Sequence, residues 1–392
     1  MKIRFNGGKT ATNQAFIYTF TPVRYLIAPD KFKGTMNAQE VAETIASGIR
    51  EFEPGAELDL LPIADGGEGT AALLAAQLEA DRQTIETVDP LGRPITAEYF
   101  VNGHEAILEM SAASGLWRVR PAERNPLRSS TYGSGVMIRY LIENGFERIF
   151  VGLGGSATVD AGLGMGAALG YRFYGPDDRP IEPLPDVFSR IQRVEAPAVT
   201  RRPEVIGLAD VETILIGPRG ATYTFGPQKG LTPDEVATLD QEIARLVDQI
   251  DRDLGTKLAD TPGAGAAGGF GYGILTFLKG QVVSGFNVVA EKVALRERIA
   301  AADIVITGEG KLDFQSLHGK GPYGVASLAN LVGKPVWALA GVIEDRQLLK
   351  AHFNGLHSLV SVDVTVEEAM QNPGPLLRRR AFELCRDLTK RH

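Results

Sequence analysis

The residues able to do chemistry in this chain sit in loops that follow short apolar runs. Three of these loops read Ala28-Pro-Asp30-Lys-Phe-Lys33-Gly34, Ala64-Asp65-Gly66-Gly67-Glu68-Gly69-Thr70 and Gly152-Leu-Gly154-Gly155-Ser156-Ala157-Thr158. Glycine-rich turns leave backbone N–H groups bare, and in open α/β sheets they gather at the carboxyl ends of the strands, where anions bind. The ligand this predicts carries phosphate. Asp65, flanked by glycine at a strand end, cannot be explained by apolar packing and fits magnesium ligation or acceptance of a hydroxyl proton. Its plainer role is an Asx turn or cap. Lys33, close to the start of the first expected helix, fits a phosphate or carboxylate contact, against the plainer role of a solvated cation. Glu309 and Asp313, in Thr307-Gly-Glu-Gly-Lys-Leu-Asp-Phe-Gln315, follow a late strand and could share a metal with Asp65. Lys311, Lys320, Arg219 and Lys229 lie in glycine-rich contexts; each alone reads as a surface cation, and together they could neutralise a triphosphate.

Several familiar designs are absent. Gly152-Leu-Gly154-Gly-Ser-Ala157 follows a strand and precedes a helix as a dinucleotide fingerprint does, but no acid stands at the end of a second strand about 20 positions on. Asp177 and Asp178 fall in a Pro/Gly loop instead, so a general anion nest is the better reading. Gly263-Ala-Gly265-Ala-Ala-Gly268 has similar spacing but follows Thr261-Pro262 and no strand, and reads as a flexible interdomain or helix-approach segment. There is no Gly-x-x-x-x-Gly-Lys-Ser/Thr run, the histidines lack zinc-ligand spacing, and Ser156 is not in Gly-x-Ser-x-Gly.

The elements that must position these loops are legible in the patterning. Tyr25–Ala28 reads as a strand, and Asn37-Ala-Gln-Glu40 as a capping box opening a helix buried through Val41, Ala42, Ile45, Ala46 and Ile49. Leu58–Ile63 and Ala71–Leu78 repeat the strand–loop–helix unit, which argues for a parallel sheet. From about Thr84 the texture turns to hairpins and longer loops, with a helix near Ser134–Glu143, a strand Ile149–Leu153 and helices near Ala161–Leu169 and Asp234–Asp253. The proline-studded span 176–203 reads as a linker or excursion. Parallel-strand texture returns at Asp303–Thr307, Pro335–Ala340 and Leu356–Val360, and Thr365-Val-Glu-Glu368 is a second capping box. The fold class this predicts is α/β: a Rossmann-like, doubly wound parallel domain from residues 23–83 and 284–392, with a second, mixed α/β domain of residues 84–283 inserted. Residues 1–22 read as an irregular extension. Active sites favour the cleft between such domains.

With 392 residues, 44% of them hydrophobic, the chain can bury more than one core. Its net charge of -7, from 41 basic and 48 acidic residues, offers no overall positive field for nucleic acid or an anionic membrane, so a phosphate site must be local. The single cysteine, Cys385, excludes an internal disulfide framework and fits a reducing compartment. No signal segment or spanning stretch is evident, and the expected location is the cytoplasm. Oligomeric state is not readable.

The motifs, taken together and in order, resemble the bacterial D-glycerate kinases, a group unrelated to P-loop kinases. The resemblance runs from about Arg24 to the C-terminal helix. It rests on Ala28–Gly34, Ala64–Thr70, Glu123-Arg-Asn-Pro126 with Thr131-Tyr-Gly-Ser-Gly135, Gly152–Gly162, Gly226-Pro-Gln-Lys-Gly230, Pro262–Gly269 and Thr307–Lys320. It departs from the family at Lys31, at Val159 in place of a usual Asn, and at Asp210-Val-Glu-Thr-Ile, which lacks the usual Asn-Pro. The resemblance implies transfer of the γ-phosphoryl group of ATP, with Mg2+, to a hydroxyl of D-glycerate. On that reading Gly154, Gly155, Ser156, Lys229 and Lys320 would hold phosphate, with magnesium near Asp65, Asp313 and Glu309. Asp65 or Asp210 would take the hydroxyl proton, Lys33 would act in catalysis or pair the substrate carboxylate, and Arg219, Gly66 and Gly67 would bind substrate. A kinase for another small sugar acid, a non-catalytic organic-acid and nucleotide sensor, and a nicotinamide oxidoreductase are the alternatives.

Overall fold

The computed structural model describes residues 22–64, 67–198, 203–210, 212–317 and 321–389. The chain divides into two compact units, one from the chain up to Ala64 together with the chain from Ala290, the other from the stretch between. The strands of the two main sheets are β1 (Arg24–Ile27), β2 (Glu57–Leu60), β3 (Asp81–Val88), β4 (Pro94–Asn102), β5 (Glu105–Glu109), β6 (Arg148–Gly152), β7 (Glu204–Ala209), β8 (Gln281–Ser284), β9 (Ile304–Thr307), β10 (Val336–Ala340) and β11 (Gly355–Ser358). The helices used below are α1 (Ala38–Phe52), α2 (Thr70–Gln77), α3 (Tyr132–Glu143), α4 (Leu163–Ala168), α5 (Ala221–Lys229), α6 (Pro233–Leu254), α7 (Ala266–Phe277), α8 (Gly321–Leu331) and α9 (Pro373–Thr389).

The first unit is a five-stranded sheet in the order β11-β10-β9-β1-β2. All its neighbours run parallel, and the two ends of the chain meet at its centre, where Tyr25 pairs with Ile304 and Ile27 with Ile306. Parallel strands are covered on both faces, which is why β10 is buried along its whole length. The Asn37 capping box forms as the sequence predicts: Glu40 N donates to Asn37 Oδ1 at 2.9 Å and Asn37 N to Glu40 Oε2 at 2.8 Å. Helix α1 then packs on α9 so closely that a methyl group on Gly48 would lie 2.2 Å from the Arg378 carbonyl oxygen. Cys385, on α9, is buried and its thiol is pushed up to about 11 by that burial. It is therefore no nucleophile.

The second unit holds a six-stranded mixed sheet in the order β8-β7-β6-β5-β4-β3. Its β3–β4–β5 part is antiparallel, and β5, β6, β7 and β8 run parallel. The predicted boundary at residue 83 moves to about 64, because α2 packs on β4, β5 and β6 of the second unit rather than on β1 and β2. The span read as a linker is folded in part: Arg172–Tyr174 and Arg193–Glu195 form a small antiparallel pair, and Phe188 and Ile191 between them are fully buried in the core. The Gly263–Gly268 segment is no flexible interdomain tether either. It is the buried approach to α7, with Ala264, Ala266 and Ala267 in the core. Among the described residues no helix is long and apolar enough to cross a membrane.

Because the α1–α9 contact has no room for even one methyl group, Gly48→Ala should destabilise the protein by about 1–3 kcal/mol, seen as a lower urea midpoint of the full chain.

Candidate active site

The parallel half of the second sheet brings its carboxyl-terminal loops side by side. After β5 comes Ser111, after β6 the Gly154–Ser156 turn, and after β7 Asp210. Gly155 adopts φ +70°, and the Gly154–Ser156 turn is held by its flanks. Leu153 N donates to Leu208 O, Leu116 N to Gly155 O and Ala157 N to Ser114 O. Within the turn, the N–H groups of Gly154, Gly155 and Ser156 donate to no described residue. Three successive free donors on a tightly held backbone form a ready-made anion nest.

The second sequence loop lies directly against this nest. A methyl group on Gly154 would be 2.1 Å from Glu68 N, and one on Gly155 would be 3.1 Å from the Glu68 carboxyl carbon. Glu68 stands between glycines in the sequence just as Asp65 adjoins one, so the same signal marks both acids of this loop. Gly67 is described in this loop, with its carbonyl accepting from Thr70 Oγ1 at 2.7 Å. Asp65, Gly66 and Lys320 lie outside the described residues.

Neighbouring helix N-termini are already satisfied by acids of the chain itself. Glu109 Oε1 accepts from Ala71 N in the first turn of α2 at 2.7 Å. Asp160, fully buried, accepts from Thr131 N and Thr131 Oγ1 at 2.8 and 2.7 Å and from Gly162 N and Gly164 N at 3.2 Å each, at the start of α4. Burial pushes its carboxyl up, and these four donors hold the charged form in place. The candidate for an anion site is therefore the turn itself rather than the starts of α2 and α4.

Lys229, expected as a phosphate-binding cation, makes bonds to the protein itself. It is buried, with its Nζ 2.6 Å from Ser156 Oγ and 2.7 Å from Thr158 O, so two of its three donors are directed at the protein. Arg219 is exposed in the turn before α5. Asp210 sits at the carboxyl end of β7 with one carboxylate oxygen buried.

In the first unit the Ala28–Gly34 loop packs against the Thr307–Asp313 loop. Thr307 Oγ1 donates to Ala28 O at 2.7 Å, Asp30 N donates to Gly308 O at 2.8 Å, and a methyl group on Gly310 would lie 3.1 Å from Lys33 N. Asp30 is buried, its carboxylate lying against Gly321, the first residue of α8. Lys33 is exposed in the turn that precedes α1. At that helix end the Asn37–Glu40 box already engages the N–H groups of Asn37 and Glu40 and sets a carboxylate there. Asp313 pairs with Lys311 at 3.2 Å, and Glu309 precedes it in the same loop. Among the described residues no three acid, histidine or cysteine side chains converge as a metal cage. Magnesium requires no such cage, since one or two carboxylates with phosphate oxygens and water complete its shell. Glu68 beside the nest fits that donor set.

The sequence pattern of the glycerate kinase family matches residues 25–389. The chain belongs to that family. Similar curated proteins include the glycerate kinase of Bacillus subtilis (strain 168), 39% identical over 372 residues, covering 93% of this chain and 97% of the relative. The glycerate 2-kinase of Escherichia coli (strain K12) is 38% identical over 346 residues, covering 87% of this chain and 90% of the relative. A crystal structure from Salmonella typhimurium LT2, described as a candidate glycerate kinase 2, superposes with a TM-score of 0.81 at 36% identity, covering 94% of this chain and 99% of that one. As a member of the glycerate kinase family the chain is a phosphotransferase, and the two-unit α/β architecture is the one expected from its motifs.

Asp160 holds Thr131 and the first turn of α4 together from a fully buried position. Asp160→Ala, which leaves those donors and the nearby Lys229 unpaired, should cost about 3–5 kcal/mol, measured by urea denaturation of the full chain.

Proposed function

We propose that this kinase transfers the γ-phosphoryl group of ATP to a hydroxyl of D-glycerate in the cytoplasm, with phosphate oxygens held by the Gly154–Ser156 turn. The observation that carries this reading is the run of three free backbone N–H groups at the carboxyl ends of parallel strands, with an acid beside it. Phosphoryl transfer asks little covalent chemistry of the protein; positioning and stabilisation of charge on the transferring group supply most of the rate. A nest of fixed N–H dipoles does both without reorganising.

When bound, Mg2+ would neutralise charge between the transferring and leaving phosphates. Glu68 is the described residue beside the nest that suits it, with Asp65 in the same loop and Asp313 and Glu309 as the other carboxylates of the motif set. Asp65 is our choice to accept the hydroxyl proton, and Asp210, at the end of β7, is the alternative base. Lys33 and Arg219, both exposed cations, are available to pair the glycerate carboxylate, and the glycines at 66 and 67 allow close approach of the acceptor. The name of the Escherichia coli relative specifies the 2-hydroxyl, and we extend that choice to this chain.

The test is a coupled assay of ADP release with Mg-ATP and a panel of small hydroxy acids. D-glycerate should give the highest kcat/KM, and phosphorus NMR should show the 2-phosphate as product. A better substrate among other sugar acids, or binding without turnover, would replace this reading. Asp65→Asn should lower kcat by about 100- to 10,000-fold while the protein stays folded by circular dichroism. Wild-type turnover in that variant would move the role of base to Asp210.

A further inference from the structure

The Gly154–Ser156 turn is tied down from behind by one side chain. Lys229, the last residue of α5, is 3% exposed, and its Nζ donates to Ser156 Oγ on the turn and to Thr158 O just beyond it. The far wall of its pocket is Gly268 on α7, at φ +70°, where a methyl group would lie 2.9 Å from Nζ and 1.9 Å from Thr158 O. An anion in the nest reaches this lysine through Ser156.

An ammonium carries donors and no lone pair. While Lys229 is charged, Ser156 Oγ can only accept from it, so the hydroxyl proton is left to turn away, toward the outer side of the nest. A neutral amine has a lone pair that can take that same proton and withdraw it. We propose that Lys229 is the positioning residue of the anion site, deciding through Ser156 whether the turn offers a hydroxyl donor beside its three N–H groups, so that anion binding is coupled to proton uptake at Lys229. The proposal rests on the reading of this turn as the place where substrate anions bind.

The charges around Lys229 set the direction of the effect. Burial pulls its ammonium down to about 7, and Asp160 opposes this by attraction. Ser156, Thr158 and Gly268 face it with neutral groups only, and Glu68 lies against Gly154 and Gly155 of the same turn. An anion in the nest favours the charged lysine. Below pH 7 the free protein is already protonated there, so binding takes up little. Above pH 7 the free lysine is largely neutral, so binding must bring in a proton and affinity falls as pH rises.

The experiment is calorimetric titration of the full-length protein with ADP and, separately, with D-glycerate, each in two buffers of different ionisation enthalpy. One of the two ligands should bind with uptake of up to about one proton near pH 8 and almost none near pH 6, which also tells whether phosphate or carboxylate occupies the nest. In Lys229→Met that uptake should vanish, with affinity about 10- to 100-fold weaker and flat with pH, and KM for the same ligand should rise more than kcat falls. Ser156→Ala, which keeps Lys229 and its bond to Thr158, should show the same loss of coupling, so the proposal stays testable if the Lys229 variant does not fold. Binding by the wild type without proton uptake overturns it. So does a folded Lys229→Met that keeps wild-type affinity and pH dependence. Neither ligand binding would remove both the proposal and the anion site. Coupled binding without glycerate phosphorylation would keep the proposal and remove only the kinase reading.

Discussion

An ammonium can be sealed inside a protein only if its donors are met and a counter-charge is close, and the second unit is arranged around that requirement. Lys229 finds its acceptors in the loop after β6, and Asp160 supplies the opposing charge. Asp160 in turn has its oxygens filled by Thr131 and the start of α4. The result is a buried polar network that reaches from α3's approach to α5 and fixes the Gly154–Ser156 turn, whose own N–H groups donate to no described residue. Networks of this kind specify a single geometry because a half-satisfied version costs more than none.

The same economy appears at four helix starts near the loops. Glu109 serves α2, Asp160 serves α4, the Asn37–Glu40 box serves α1, and Asp30 lies against the start of α8. Helix N-termini attract anions in general, and here internal carboxylates meet that attraction. The proposed anion site is the strand-end turn of the sheet, where donor positions are set by flanking bonds to β7 and to the segment after β5. For phosphoryl transfer, where geometry and fixed dipoles carry the rate, a turn held on both sides is a better platform than a fraying helix end.

Much of the architecture was legible in the sequence because it is written in local terms. The strands around Tyr25, Leu58, Ile149 and Val336 and the boxes at Asn37 and Thr365 are where patterning and side-chain capping place them. The Gly154–Ser156 nest was legible for the same reason. What the sequence hid is tertiary. Nothing local tells that Lys229, in a glycine-rich stretch typical of a surface loop, is enclosed by a wall 39 positions away at Gly268. Nor does spacing reveal that Glu68 lies against the nest, or that α2 joins the second sheet. The small-residue run at Gly263–Gly268 looks like a tether because its function, close backbone approach to Thr158 and Ala161, depends on partners a hundred residues earlier.

The central strand of the first sheet has a further consequence for how the chain is made. β1 meets β2 within a few dozen residues, but its other neighbour, β9, begins at Ile304. At ribosomal speeds of about 5–20 residues per second, one side of β1 stays open for roughly 10–50 s after β2 has emerged. The intervening stretch carries its own complete sheet and core, so it can settle while its host waits. Assembly therefore runs from the middle outward, and the apolar edge left waiting at Tyr25–Ile27 is where a nascent chain of this protein most needs a chaperone.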